Sequence, residues 1–268
     1  MIKPTEFFSG HPVFRHEEFV QAHSGSGDRS PLTSQAALRQ HVAAGNLIHV
    51  RRGVYAVVTP GSPAERAPVD PFLLATKLTD DAVVAFHAAL QFHGKVYSMW
   101  RRFHYLTRHR VRPFSFRDLE FVPVLAPVQL RSSPNLGGEV VERSCAGGTV
   151  RVTTLERALV DLLDQPSKGG GWEEIWRSLE MVEFFDLDSV TEYALRVDSA
   201  LTAARVGFFL EQHREALMVE DLYLDALRKR APAQAAYLDP ARGPGRLVSG
   251  WNLIVPEEVL TRSWEETG

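Results

Sequence analysis

The chain holds a single cysteine, Cys145, in 268 residues. That excludes an intramolecular disulfide framework and any multi-cysteine zinc site. Cys145, followed by Ala146-Gly147-Gly148, reads as a turn residue with a structural role. Lysine is scarce too, five against twenty-five arginines. The residues two positions before those lysines are Met1, Ala75, His93, Pro166 and Leu227, none of them acidic. The acidic-x-lysine element of a PD-(D/E)xK nuclease, which holds a metal and a water, is therefore missing. No HExxH zinc motif occurs, and Gly169-Gly170-Gly171 lacks the Lys-Ser/Thr of a phosphate-binding loop, so it reads as a loop before a helix. No apolar run is long enough to span a bilayer. Met1 to Gly10 has neither an apolar stretch nor a cleavage pattern. The expectation is a cytoplasmic protein with no membrane partner, no cofactor and no metal, a monomer or homodimer.

What the chain does have is an uneven distribution of charge. The net charge of −3 hides a middle segment, 95–117, with seven Lys/Arg and no Asp/Glu. Residues 153–268 carry twelve Lys/Arg against twenty-one Asp/Glu. Such asymmetry points to a nucleic-acid face on one side of the molecule.

The segment from Ser34 to Val57, SQAALRQHVAAGNLIHVRRGVYAVV, is the most informative. Ser34 or Thr33 is placed to cap a helix. On a helical wheel Ala37, Leu38, His41 and Val42 share one side. Ala36, Arg39, Gln40 and Ala43 share the other, with Gln35 at its edge. Gly45 ends the helix. Two strands rich in β-branched and aromatic residues follow, Leu47 to Arg51 and Val54 to Val57, joined at Arg52-Gly53. A helix followed by a basic ribbon is the end of a winged helix-turn-helix. In that reading Ser34, Gln35, Arg39 and Gln40 face base edges, where Gln suits adenine and Arg suits guanine. Arg51, Arg52 and Tyr55 lie on the ribbon, near phosphates. The same pattern also occurs in domains that touch no nucleic acid, and two arginines at a hairpin tip also make a solvated turn.

The expected fold class is α+β: an N-terminal winged helix-turn-helix, then a mixed α/β domain with a helical C-terminal part. Residues 1–60 form the first domain and 61–69, rich in Pro and Gly, the linker. Residues 70–268 form the second. Asp70 to Lys77 and Asp80 to Phe92 read as helices. Strands are expected at Arg102 to Thr107, Leu119 to Leu125, Glu139 to Arg143 and Thr149 to Val152. A helix capped by Thr153 or Thr154 runs to Leu163, and four more helices fill Trp172 to Lys229. Trp251 to Val255 is a last strand. In 95–117 the aromatics alternate with arginines. Arg108, Arg110 and Arg112 are expected to be exposed and are candidates for phosphate contact.

Three blocks carry a resemblance. They are Ala44-Gly-Asn-Leu47 with Val50-Arg-Arg-Gly-Val-Tyr-Ala56, then Ala85-Phe-His-Ala-Ala-Leu-Gln-Phe-His-Gly94, then Thr153-Thr-Leu-Glu-Arg-Ala-Leu-Val-Asp-Leu162. Their order and spacing resemble the AbiEi family, antitoxin-regulators of type IV toxin–antitoxin systems. The resemblance implies a non-enzymatic transcriptional autorepressor whose partner is double-stranded DNA carrying promoter inverted repeats. It also implies an antitoxin role against a nucleotidyltransferase-like toxin, a functional partner that need not be a physical one. By carry-over Arg39 and Gln40 sit on the recognition helix and Arg51 and Arg52 on the wing. Thr154, Glu156, Arg157 and Asp161 read as helix capping and a core salt bridge. The alternative is a metal-dependent nuclease-like enzyme with carboxylates at Asp118, Glu120 and Glu139.

Overall fold

The structure, a computed structural model, describes residues 4–24 and 31–265. The sequence from Ser24 to Pro31 is polar and glycine-containing and reads as a loop, and its residues 25–30 lie outside the described residues. The fold is α+β, with eleven α-helices and three sheets among the described residues. No helix among them is long and apolar enough to cross a membrane. Two compact units interleave in sequence. The first comprises residues 1–84, 101–123 and 142–152, the second 85–100, 124–141 and 153–268.

The first unit opens with α1 (Pro4–Gly10), β1 (Val13–Arg15), α2 (His16–Ser24), α3 (Pro31–Ala43), β2 (Leu47–Arg51) and β3 (Val54–Val57). The three strands form one antiparallel sheet in the order β1-β3-β2, with Val13 opposite Ala56 and Leu47 opposite Val57. An aromatic cluster binds these short elements together. Phe7, Phe8, Phe14 and Phe19 are buried with Leu38, Leu47 and Tyr55. The Phe14 ring lies 5.2 Å from Phe7 and 5.7 Å from both Phe8 and Tyr55. Helix α3 stops at Gly45, whose φ of +75° is costly for any side chain bearing a Cβ. There the Asn46 N–H reaches the His41 carbonyl and the Gly45 N–H that of Val42, the paired closure of a Schellman motif. Residues 33 and 34 lie within α3 and not before its first turn. Pro31 opens the helix instead, because proline's fixed φ suits a first turn and its missing N–H is no loss there.

The rest of the unit is α4 (Pro71–Thr76), β4 (Val83–Val84) and most of a six-stranded sheet. The sheet is completed by β5 (Arg102–Thr107), β6 (Phe114–Phe116), β7 (Leu119–Leu125), β8 (Val140–Cys145) and β9 (Gly148–Thr153). Its order is β6-β7-β5-β4-β9-β8. The single helix expected over Asp80 to Phe92 is not formed. Its first half is β4, held by Leu106 and Tyr105 on one side and Val152 on the other. A helix begins only at His87, after Phe86 turns the chain with φ +58°. Cys145 ends β8 rather than sitting in the turn. Burial and the Asp70 carboxylate push its thiol up to about 11, which disfavours the thiolate. Residues 61–69 are pinned within this unit. Ala67 is buried, and the Arg117 guanidinium donates to the carbonyls of Ala67 and Ala64.

The second unit holds α5 (His87–Phe92), α6 (Leu155–Asp164), α7 (Trp172–Glu180), α8 (Leu187–Arg196), α9 (Ala200–Gln212) and α10 (Asp221–Arg228). A small sheet of β10 (Ala236–Tyr237), β11 (Arg246–Val248) and β12 (Leu253–Val255) precedes α11 (Glu257–Thr261). Thr154 caps α6 by accepting from the Arg157 N–H, and Asp186 caps α8. The buried pivot is Arg157, fully shielded from solvent. Its Nε donates to Asp161 at 3.1 Å and its terminal nitrogens to the carbonyls of Gly138 and Leu136. The Tyr193 hydroxyl donates to the other Asp161 oxygen at 2.8 Å. This network ties α6, α8 and the 136–138 turn together. Removing one partner strands a buried charge, so Arg157→Ala is expected to cost roughly 3–5 kcal/mol in urea unfolding. A loss within experimental error would show that the network is dispensable.

Candidate functional site

Among the described residues of α3 the exposed ones are Gln35, Ala36, Arg39, Gln40 and Ala43, while Leu38 is fully buried. That is one helical face, at positions i, i+1, i+4, i+5 and i+8. It is made of small side chains plus three long polar ones. Between this face and the β2–β3 hairpin lies a concavity of about 470 Å³, with Gln35 and Arg39 on the helix side and His49, Arg52 and Gly53 on the hairpin side. Tyr55 forms part of its wall, 8% exposed and stacked on Phe14. Burial pushes the Tyr55 phenol above its ordinary value, and the positive charge of nearby Arg39 opposes that rise.

The ten sequence candidates thus fall into separate groups. Gln35, Arg39 and Arg52 line one concavity, and Gln40 shares their helix face. Ser34, by contrast, is 6% exposed and belongs to the packing of α3, not to its outer face. Tyr55 offers at most an edge. The two hairpin arginines differ in environment. Arg52 is exposed beside Gly53, which takes φ +78° in the turn. Arg51 is half-buried, its guanidinium carbon 5.1 Å from the centre of the Phe114 ring. The register shift between His49 and Arg51 accompanies this re-aiming of the strand end. Arg108, Arg110 and Arg112 lie together and exposed in the loop between β5 and β6.

Each of the three carboxylates of the nuclease alternative is paired with an arginine. Asp118 pairs with Arg101, Glu120 with Arg102 at 2.7 Å, and Glu139 with Arg196 at 3.3 Å. Glu139 also belongs to the second unit. A different group comes together among the described residues: Asp80, Asp81 and His109, whose ligand-type atoms lie within 4.8 Å of one another. Sequence reasoning missed it, because only the pairing of β4 with β5 brings His109 to the two aspartates.

Asp81 anchors this corner. It is 9% exposed and accepts from the Thr107 hydroxyl at 2.6 Å, the Thr79 hydroxyl at 2.9 Å and the Arg108 N–H at 2.7 Å. Burial alone would push its carboxyl up, but these donors outweigh burial and hold it below the ordinary value. In the second unit His87 is buried, stacked on Trp100 at 3.9 Å and hydrogen-bonded to Glu174 at 3.0 Å. Burial lowers its pKa against the opposing pull of Glu174. His93 contacts the Thr153 carbonyl at 2.9 Å.

No protein-family profile and no curated protein matches the chain. Among solved structures the chain is similar to the crystal structure of the RV2827C protein from Mycobacterium tuberculosis. The TM-score is 0.56 at 15% sequence identity, over 98% of this chain and 92% of that one. At that identity the likeness speaks to the fold alone.

The Asp81 corner yields a pH prediction. A carboxyl with a depressed folded pKa stabilises the fold above its unfolded pKa, and that contribution is lost as pH falls through the folded value. Asp81→Asn is expected to lower stability at pH 7 by roughly 1–3 kcal/mol. The gap to the wild type should close below about pH 4. A pH-independent difference in thermal unfolding would contradict this account of Asp81.

Proposed function

We propose that the N-terminal domain, residues 1–60, is a winged helix and that the chain is a sequence-specific double-stranded DNA-binding autorepressor. What supports the winged helix is the element order α1-β1-α2-α3-β2-β3 with sheet order β1-β3-β2. In this reading α3 is the recognition helix and the Arg52-Gly53 turn is the wing tip.

The observation that carries the reading is the concavity between α3 and the hairpin. Its cations, Arg39 and Arg52, are exposed and have no acidic partner among the described residues. Elsewhere in the same unit Arg101, Arg102 and Lys77 are paired with carboxylates. Unpaired arginines beside a face of alanine and glutamine suit a major groove, where the backbone must come close and the reading groups must be long. Arg39 suits guanine, and Gln35 and Gln40 suit adenine. Arg52 meets phosphate. By the AbiEi resemblance the DNA carries inverted repeats of the chain's own promoter. The same resemblance assigns the remainder an antitoxin role against a nucleotidyltransferase-like toxin.

The test is fluorescence anisotropy with a duplex from the DNA just upstream of the reading frame. Arg39→Ala is expected to cost about 1–3 kcal/mol on that duplex and to relax preference at one base position. Arg52→Ala should weaken binding uniformly across sequences and reduce the slope of log K against log salt by about 1. Wild-type affinity, specificity and salt slope in both variants would overturn the assignment.

A further inference from the structure

The loop between β5 and β6 is fixed at both ends within the first unit. At its start, Asp81 takes the Thr107 hydroxyl and the Arg108 N–H, and the His109 N–H donates to Thr107 Oγ1 at 3.1 Å. The His109 ring is hydrogen-bonded to Asp80 at 2.8 Å. At its end, Phe114 enters β6 opposite Phe121 and carries the Arg51 guanidinium over its ring. Tyr105 of β5 is pushed up to about 12 by burial, against the opposing charge of the same Arg51. The base of the hairpin and the two ends of the loop are thus parts of one packed assembly.

Between those anchors stand Arg110 and Arg112, exposed and with no acidic partner among the described residues. The two carboxylates at the start of the loop have other partners. Asp80 holds His109, and Asp81 faces inward to two hydroxyls and an amide. Arg101 and Arg102, at the other end of β5, are paired with Asp118 and Glu120. Arg110 and Arg112 therefore stand exposed on a loop whose two ends are anchored. At the Arg51–Phe114 contact the end of the loop meets the hairpin that bears Arg52.

We propose that the 108–112 loop is a second phosphate-contacting element of the same duplex interface. Arg110 and Arg112 grip the sugar-phosphate backbone beyond the wing, and Arg51 is a positioning residue that sets the wing against the loop through Phe114. The proposal rests on the DNA-binding reading of the α3 concavity. It changes the role of Arg51. A guanidinium stacked on a ring is a tether, so the two hairpin arginines, adjacent in sequence, act differently. It also divides the interface by kind of contact, since phosphate contacts set register and affinity whereas base contacts set specificity.

The experiment uses the full chain and the upstream duplex, with hydroxyl-radical footprinting and a salt titration. The Arg110→Ala/Arg112→Ala double variant is expected to lose protection at one end of the footprint. Its slope of log K against log salt should fall by about 2, at roughly 0.9 per phosphate contact released. Its preference for the specific over a random duplex should stay unchanged. Phe114→Leu touches no DNA in this scheme and keeps every charge. It should blur the same end of the footprint and lower the salt slope while its thermal unfolding stays close to wild type. If Phe114→Leu proves unstable, Arg51→Lys makes the same test, keeping the charge while removing the ring stack. A full-length footprint and an unchanged salt slope in the double variant, with the wild type protecting the duplex, would overturn the loop assignment alone. A wild type that protects no duplex would remove both this proposal and the reading on which it rests.

Discussion

The phenylalanine cluster beneath α3 is the constraint on which the candidate interface depends. Helix α1 has seven residues and β1 three, too few to be stable alone. Phe7, Phe8, Phe14 and Phe19 supply what the backbone cannot, about 1.5–3 kcal/mol for each ring removed from water. Leu38 on α3, Leu47 on β2 and Tyr55 on β3 enter the same cluster, so one apolar mass holds the helix and the hairpin at a set separation. The polar face opposite is therefore placed before any ligand arrives. Pre-placement matters because ordering loose side chains at binding would subtract from affinity.

Charge is organised by pairing rather than by total. A chain of net charge −3 does not announce an anionic ligand. Most arginines are spent on structure: Arg157 on Asp161 and two carbonyls, Arg117 on the 61–69 stretch, and Arg101 and Arg102 on carboxylates across a turn. Exposed ion pairs of that last kind contribute little to stability. They do remove those arginines from competition for a ligand. Among the described residues, Arg39 on α3, Arg52 at the hairpin tip and Arg110 and Arg112 in the 108–112 loop have no acidic partner and so have chemistry to offer. Arginine 51 shows how fine the distinction is, since a ring contributed by a distant strand takes it out of that set.

Much of the fold is legible in the sequence where the signal is local. Strand β7 is readable from its β-branched and aromatic run. Helix α6 follows from Thr154 and its leucine stripe, and the end of α3 from Gly45. What is not legible depends on partners far along the chain. Val83 and Val84 look helical beside the alanines that follow, yet β5 and β9 recruit them into a sheet. Strands β1, β6, β10 and β11 have two or three residues each, too short to leave a period. At the site, the outward face of α3 follows from its helical spacing. The burial of Ser34 and the stacking of Arg51 do not, because one depends on where the helix starts and the other on Phe114. Asp80, Asp81 and His109 leave no sequence signature at all.

Competition binding tests the central claim most directly. The full chain is titrated against a labelled duplex from the DNA upstream of its own reading frame, with increasing unlabelled random-sequence duplex at fixed salt. A recognition helix that reads base edges predicts that the upstream duplex is held at least about a thousandfold more tightly than the competitor. Equal competition by random duplex, or no binding even at low salt, would contradict the account.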